Sequence, residues 1–173
     1  MTDIRYPIGK FTMTGTTTLD ERSQWIEELA KAPEELRSAV RGLNAEQLNS
    51  CYREGGWTLR QVVHHLPDSH LNAYVRCKLA LTEERPLVKT YEEALWAELS
   101  DSTDDIDMSL DLLDALHRRW VSLLRSLTQE QWQREYLHPE MKNVPLHRLV
   151  GLYAWHGKHH IAHIVKHREQ MGW

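Results

Sequence analysis

The sequence predicts an all-α protein built as a four-helix bundle. Leucine occurs 24 times, against 15 for valine and isoleucine together, and few segments alternate between apolar and polar residues with a period of two. Both observations favour helices over strands. Apolar residues instead recur every three or four positions in four long segments, the spacing that gives a helix one buried face. A chain of 173 residues can bury its own core, so we expect a single domain over 1–173.

The first part of the chain is expected to form an arm and one long helix. Residues 1–18 contain turn residues without apolar periodicity, which predicts an irregular N-terminal arm. The first long helix is expected from Asp20 to about residue 43. Proline lacks an amide hydrogen and clashes with the preceding turn, so Pro33 predicts a kink or a brief break there. A capping box from Asn44 to Gln47 then predicts a short helix.

The second long helix is expected to begin after Thr58, which forms a capping box with Gln61. Its histidines are His64, His65 and His70. Pro67 lies among them and should free a backbone carbonyl and bend the helix beside the histidines. A loop over 82–90 and a shorter helix over 91–99 are expected to follow.

The second half of the chain predicts two more long helices, over 106–127 and 146–170, with a turn or small hairpin at 136–144 between them. Residues 128–132 (TQEQW) repeat the pattern of residues 44–48 (NAEQL) at a constant offset. This faint repeat indicates two similar helix pairs, each ending in a helix that carries histidines. Such an arrangement is a four-helix bundle, which places metal and ligand sites between facing helices.

Charge and cysteine content exclude several classes of function. The 21 basic and 25 acidic residues give a net charge of -4, so there is no electrostatic footprint for nucleic acid or an anionic membrane. Cys51 and Cys77 form no CxxC motif, which favours a reducing compartment. Because no signal peptide or membrane-spanning segment is recognised, we expect a cytoplasmic protein that acts on a small-molecule substrate.

The densest chemical feature is a histidine run in the last predicted helix. Five of the 11 histidines lie between positions 156 and 167. Two histidines four residues apart share one helix face and supply two ligands to a metal ion. Spacing alone offers three such pairs, His156/His160, His159/His163 and His163/His167. A third ligand must come from elsewhere, and the helix that begins after Thr58 is the natural source.

Residues 52–66 (YREGGWTLRQVVHHL), followed by Asp68-Ser69-His70, resemble the YfiT family of metal-dependent hydrolases in the DinB/YfiT superfamily. The similarity extends to YPIG at 6–9, GLY at 151–153, WH at 155–156, HHIAH at 159–163 and MGW at 171–173, and so covers nearly the whole chain. The resemblance implies a DinB/YfiT-type four-helix bundle with a three-histidine metal site. It also implies a homodimer, because several family members are dimers.

Motif positions in the family imply that the metal ligands are His65, His159 and His163. Pro67, Lys158 and Pro145 depart from the family pattern. The remaining histidines of the two helices are reserve ligands, or groups that orient the ligand rings: His64, His70, His156 and His160. A lone histidine on a bundle face is usually a packing or surface residue, and we expect this of His117, His138 and His147.

Three protein ligands leave one coordination position open, as in catalytic zinc sites, and an all-imidazole site also suits nickel. A bound water would supply hydroxide for hydrolysis of an ester or amide. A low-molecular-weight thiol would instead be held as a thiolate for S-transfer, as in the bacillithiol transferases that some superfamily members resemble. The lack of a carboxylate base in HExxH spacing favours transfer. A third hypothesis is a non-catalytic metal-binding stress protein whose site is closed by a fourth protein ligand.

Overall fold

The computed structural model describes residues 3–13 and 15–173, so residues 1, 2 and 14 of the predicted arm lie outside the description. The helices are α1 (Leu19–Val40), α2 (Ala45–Leu48), α3 (Leu59–Thr82), α4 (Glu93–Trp96), α5 (Ile106–Arg125), α6 (Gln129–Trp132) and α7 (Leu146–Met171). A 3₁₀ turn spans Ser100–Thr103, and the antiparallel strands β1 (Glu135–His138) and β2 (Lys142–Pro145) form a hairpin. Helices α1 and α3 each pack against α5 and α7. The predicted four-helix bundle and hairpin are therefore confirmed.

Capping boxes define where several helices begin. Thr58 accepts a hydrogen bond from the backbone N–H of Gln61 at 3.1 Å, and the Gln61 side chain accepts one from the backbone N–H of Thr58. Asn44 and Gln47 form the same reciprocal pair before α2. Both predicted capping boxes are present. The box at Thr58 fixes the start of α3 two turns before His65.

The prolines inside the long helices do not end them. Helix α1 runs through Pro33 and α3 runs through Pro67, both within their continuous ranges. A break at Pro33, one of the two outcomes considered, is not found. Both proline side chains are buried against the bundle, so packing holds each helix together across the missing hydrogen bond.

A layer of histidines separates two apolar cores along the bundle. One core is built around Trp120, Tyr136 and Leu149, and the other around Leu36, Leu66 and Ile164. On α3, His70 lies between the residues of the two cores and His65 lies at the edge of the second, and on α7 His156 and His160 lie between the cores. The polar side chains of this layer are thus shielded by hydrophobic packing on either side.

The N-terminal arm packs against α7. Trp155 Nε1 donates a hydrogen bond to the Gly9 carbonyl at 3.3 Å, and Lys166 Nζ donates one to the Pro7 carbonyl at 2.5 Å. The arm therefore covers the outer face of the histidine-bearing helix. Within 3–13 and 15–173, no helix has the length and apolar character needed to cross a membrane.

Candidate metal centre

Two groups of histidines bring their ring nitrogens close enough to share a metal ion. The first group is His65, His156 and His160, and the second is His159, His160 and His163. In each group the ligand atoms lie within 4.8 Å of one another. His160 belongs to both groups, so only one of them can use it at a time.

The first group joins two helices. His65 comes from α3, and His156 and His160 are an i, i+4 pair on α7. The Nε2 atoms of His65 and His156 are 3.3 Å apart. Two nitrogens on a tetrahedral zinc ion, each at the usual Zn–N distance, would be separated by about 3.3 Å. The rings are therefore spaced as two ligands of one ion would be.

Burial keeps these rings neutral and able to coordinate. Desolvation lowers the pKa of His65 to about 4, and it lowers the pKa values of His156 and His160 well below the usual range. Only neutral imidazole has a free lone pair for a metal ion. At neutral pH all three rings are in that form.

A cavity of about 370 Å³ opens beside the first group. Its wall includes Trp57, Ser69, Tyr91 and Tyr153, together with the buried guanidinium group of Arg76. Burial raises the pKa of Tyr91 to about 12 and also raises that of Tyr153, so both phenols stay protonated. The cavity thus offers hydroxyl donors, one guanidinium cation and the carboxylates of Glu93 and Glu140 beside the three rings.

The second group takes all its ligands from α7 and faces a different cavity, of about 410 Å³. The ring of Tyr52 stacks on His163 with a centroid distance of 4.3 Å, and His163 Nε2 lies 3.3 Å from the Arg5 carbonyl oxygen. Arg5 and Arg53 line this cavity. Arg76 likewise lines the cavity of the first group, so charge alone does not separate the two groups. The second group is the less favourable site because the contact at His163 Nε2 already occupies one of its ring nitrogens.

The structure divides the ligand set implied by the family resemblance. His65 lies in the first group, whereas His159 and His163 lie in the second. His156 and His160, reserves in the sequence analysis, are the histidines placed with His65. The set of His65, His159 and His163 remains a prediction.

Two other reserve histidines have both ring nitrogens engaged. His64 Nδ1 lies 2.7 Å from Ser109 Oγ, and its Nε2 lies 3.2 Å from the Asp104 carbonyl oxygen. His64 therefore connects α3 to the start of α5. His70 lies behind the first group, with Nε2 3.2 Å from Nδ1 of His156. Its Nδ1 is 2.8 Å from Nε2 of His117.

His117 and His138, expected to be core or surface residues, lie close to the first group of histidines and to its cavity. His117 is only 1% exposed and hydrogen bonded to His70, so it belongs to the same layer as the candidate ligands. His138 lines the cavity of the first group. No local motif marks either residue. The sequence signal that could have predicted the position of His117 is that it lies on the third long helix, which packs against a histidine-bearing helix in a four-helix bundle.

Four long helices around a layer of neutral histidines define a bundle that can bind a metal ion. A family model described as the DinB superfamily matches residues 28–164. The chain belongs to the DinB superfamily.

Proteins from Bacillus mycoides strain KBAB4 and Bacillus cereus strain B4264 are 51% and 50% identical to the chain over 173 residues, the full length of each. Both carry the name "Putative metal-dependent hydrolase". The solved structure of YfiT from Bacillus subtilis is 46% identical and matches with a TM-score of 0.96 over 98% of either chain. It is described as "a probable metal-dependent hydrolase with an unusual four-helix bundle topology". The resemblance to YfiT noted in the sequence is thus confirmed.

Proposed function

We propose that this protein is a metal-dependent hydrolase whose single divalent metal ion is held by His65, His156 and His160. The observation that carries the proposal is the convergence of these rings, from two helices, at the edge of a cavity, with a separation of 3.3 Å between two Nε2 atoms. The neutral imidazole donors fit zinc best, and nickel is the alternative. The names of the relatives support the same class of reaction.

The open side of the site suits catalysis better than storage. Within 3–13 and 15–173, no fourth histidine, cysteine or carboxylate joins the first group. His65, His156 and His160 would hold a metal ion with one position left free, where it would supply a water molecule of lowered pKa as the nucleophile for ester or amide hydrolysis. A closed site with four protein ligands, as in a non-catalytic stress protein, would need a residue that this group lacks.

The chain's own residues would bind and orient the substrate. Tyr91 and Tyr153 hold protonated hydroxyl groups that can donate to a substrate oxygen. Arg76 donates from Nη2 to the Lys89 carbonyl at 3.0 Å and keeps other donors for a carboxylate or phosphate group. Trp57 packs on His65 with a centroid distance of 4.7 Å and excludes water from that side of the ring.

Hydrolysis of p-nitrophenyl acetate by the zinc-loaded protein tests this reaction. We expect turnover that is lost with EDTA, restored by zinc and abolished in His156→Ala. The control His147→Ala replaces a buried histidine of α7 outside both groups and should keep the activity. Equal rates in the zinc-loaded and metal-free proteins would contradict the proposal.

Thiol S-transfer is the second candidate. It is favoured because, in the described part of the chain, no carboxylate belongs to the first group of histidines. The carboxylates of Glu93 and Glu140 line the same cavity and are the candidate bases for hydrolysis. Adding a low-molecular-weight thiol to the cobalt-substituted protein separates the two reactions. A thiolate charge-transfer band would support transfer, whereas an unchanged spectrum together with ester turnover would support hydrolysis.

We further propose that the protein forms the homodimer implied by the family resemblance. Light scattering coupled to size-exclusion chromatography tests this directly. A mass near 20.4 kDa, that of one chain, would contradict it.

A further inference from the structure

A line of hydrogen bonds connects His156 to the backbone of α1 through two further histidines. His156 Nδ1 lies 3.2 Å from His70 Nε2, and His70 Nδ1 lies 2.8 Å from His117 Nε2. His117 Nδ1 lies 2.6 Å from the carbonyl oxygen of Leu29. The four groups come from α7, α3, α5 and α1, so each long helix contributes one member.

Pro33 explains why the Leu29 carbonyl is available. In an α-helix this oxygen would accept the hydrogen bond of the amide four residues later, which is residue 33. Proline has no amide hydrogen, and its ring pushes against that carbonyl. The Leu29 oxygen therefore accepts from His117 instead. Here the proline that interrupts the hydrogen bonds of α1 supplies an acceptor inside the bundle.

The carbonyl sets the direction of every bond in the line. A carbonyl oxygen can only accept, so Nδ1 of His117 carries the hydrogen. A neutral imidazole has a single N–H, so Nε2 of His117 accepts and Nδ1 of His70 donates. By the same rule, Nε2 of His70 accepts from Nδ1 of His156. The remaining nitrogen of His156, Nε2, then has no hydrogen and points at His65 Nε2.

The rings at the centre of this line are fully enclosed. His70 is 0% exposed and His117 is 1% exposed. Their hydrogen-bond partners are the neighbouring rings and the Leu29 carbonyl. Asp114 lies near His117 and favours its charged form, but burial is the larger effect and favours the neutral ring. The neutral form required by the bond directions is therefore the form that this environment favours.

We propose that the Leu29 carbonyl, His117 and His70 are positioning groups that fix His156 in the Nδ1–H tautomer and so present its Nε2 lone pair to a metal ion. The proposal rests on the metal site assigned above to His65, His156 and His160. His70 and His117 would touch neither metal nor substrate. They act through His156, as groups that hold the second nitrogen of a metal-binding histidine commonly do.

The wild-type, metal-free protein gives the first test. Nitrogen-15 NMR of the imidazole rings distinguishes an N–H nitrogen from a bare one, and comparison with His156→Gln assigns the signals of His156. We expect a single Nδ1–H tautomer for His156. An Nε2–H tautomer, or an even mixture, would overturn the proposal without any need for a variant at the positioning residues.

Variants of His117 give the second test. Loss of such a partner typically weakens metal affinity about 10- to 100-fold. We expect His117→Phe, which keeps a ring but removes both polar atoms, to weaken zinc binding by about that factor and to give mixed His156 tautomers. His117→Gln retains a donor and an acceptor and should recover most of the affinity. His147→Phe is the matched control for loss of a buried ring and should bind zinc as the wild type does.

The outcomes separate this proposal from the proposed function. Wild-type zinc affinity and an unchanged tautomer in His117→Phe would overturn the positioning role while leaving the metal site intact. An Nδ1–H tautomer in a wild type that binds no zinc would refute the metal site but leave the hydrogen-bond order in place. If His117→Phe does not fold, His117→Gln and the wild-type spectrum still decide the question.

Discussion

Acidification should destabilise the metal-free protein through its buried histidines. Burial lowers the pKa of His65 and that of His117 to about 4, from 6.5 for an ordinary histidine. Between these values the unfolded chain binds more protons than the folded protein does. The free energy of unfolding is therefore greatest above pH 6.5 and falls as the pH decreases towards 4.

The size of the effect at pH 5 follows from the shift. Each of these two histidines should lose about 2 kcal/mol of stability on going from pH 7 to pH 5. Asp68 has the opposite effect on stability. Burial and the nearby Asp101 raise its pKa to about 6, so on acidification Asp68 is protonated in the folded protein before it is protonated in the unfolded chain. After a discount for its partial solvent exposure, Asp68 adds about 1 kcal/mol to the free energy of unfolding over the same change from pH 7 to pH 5. These three groups alone give a net loss of about 3 kcal/mol, a large part of a typical stability of about 5 to 15 kcal/mol. The other buried histidines with lowered pKa values, among them His159 at about 4, add to the loss in the same direction.

Urea unfolding with EDTA, followed by circular dichroism at pH 7 and pH 5, measures this loss. The His117→Phe variant should show a pH dependence smaller by about 2 kcal/mol, since it removes one titrating ring. Asp68→Asn should show one larger by about 1 kcal/mol. Equal wild-type stabilities at the two pH values, or a wild-type pH dependence in His117→Phe, would refute the reasoning.

Three further predictions concern stability. Leu36→Ala should lower the free energy of unfolding in urea by about 3 kcal/mol, because Leu36 is 0% exposed in its core. The control Met108→Ala, at a residue that is 59% exposed, should lower it little. Thr58→Ala should lower the free energy of unfolding by about 1 kcal/mol, because it removes the N-cap of α3. A decrease of less than a few tenths of a kcal/mol would mean that the capping box does not stabilise this helix. Zinc at 100 times its dissociation constant should raise the free energy of unfolding by about 2.7 kcal/mol, and His156→Ala should abolish that gain in thermal melts.

The fold was predictable because its signals are local. Helical periodicity and the boxes at Asn44 and Thr58 depend on residues a few positions apart, and both boxes form as expected. The possible break at Pro33 was wrong for a non-local reason. Packing of α1 on α5 and α7 holds the helix together, and His117 of α5 occupies the carbonyl that Pro33 leaves free.

The site was predictable in part. Spacing limits the last helix to three histidine pairs, and His156/His160 is one of them. Which pair meets His65 depends on the rotation of α7 against α3, which a repeat of four residues does not specify. The positioning role proposed for His117 depends on contacts among all four long helices, so no local sequence pattern could predict it.

The metal content of three purified, untagged proteins tests the central claim most directly. Elemental analysis should find one zinc or nickel ion per chain in the wild type and in His163→Ala, and none in His156→Ala, with helical content retained in all three. Metal kept in His156→Ala but lost in His163→Ala would contradict the site assigned to His65, His156 and His160. It would support instead the set of His65, His159 and His163 implied by the family resemblance.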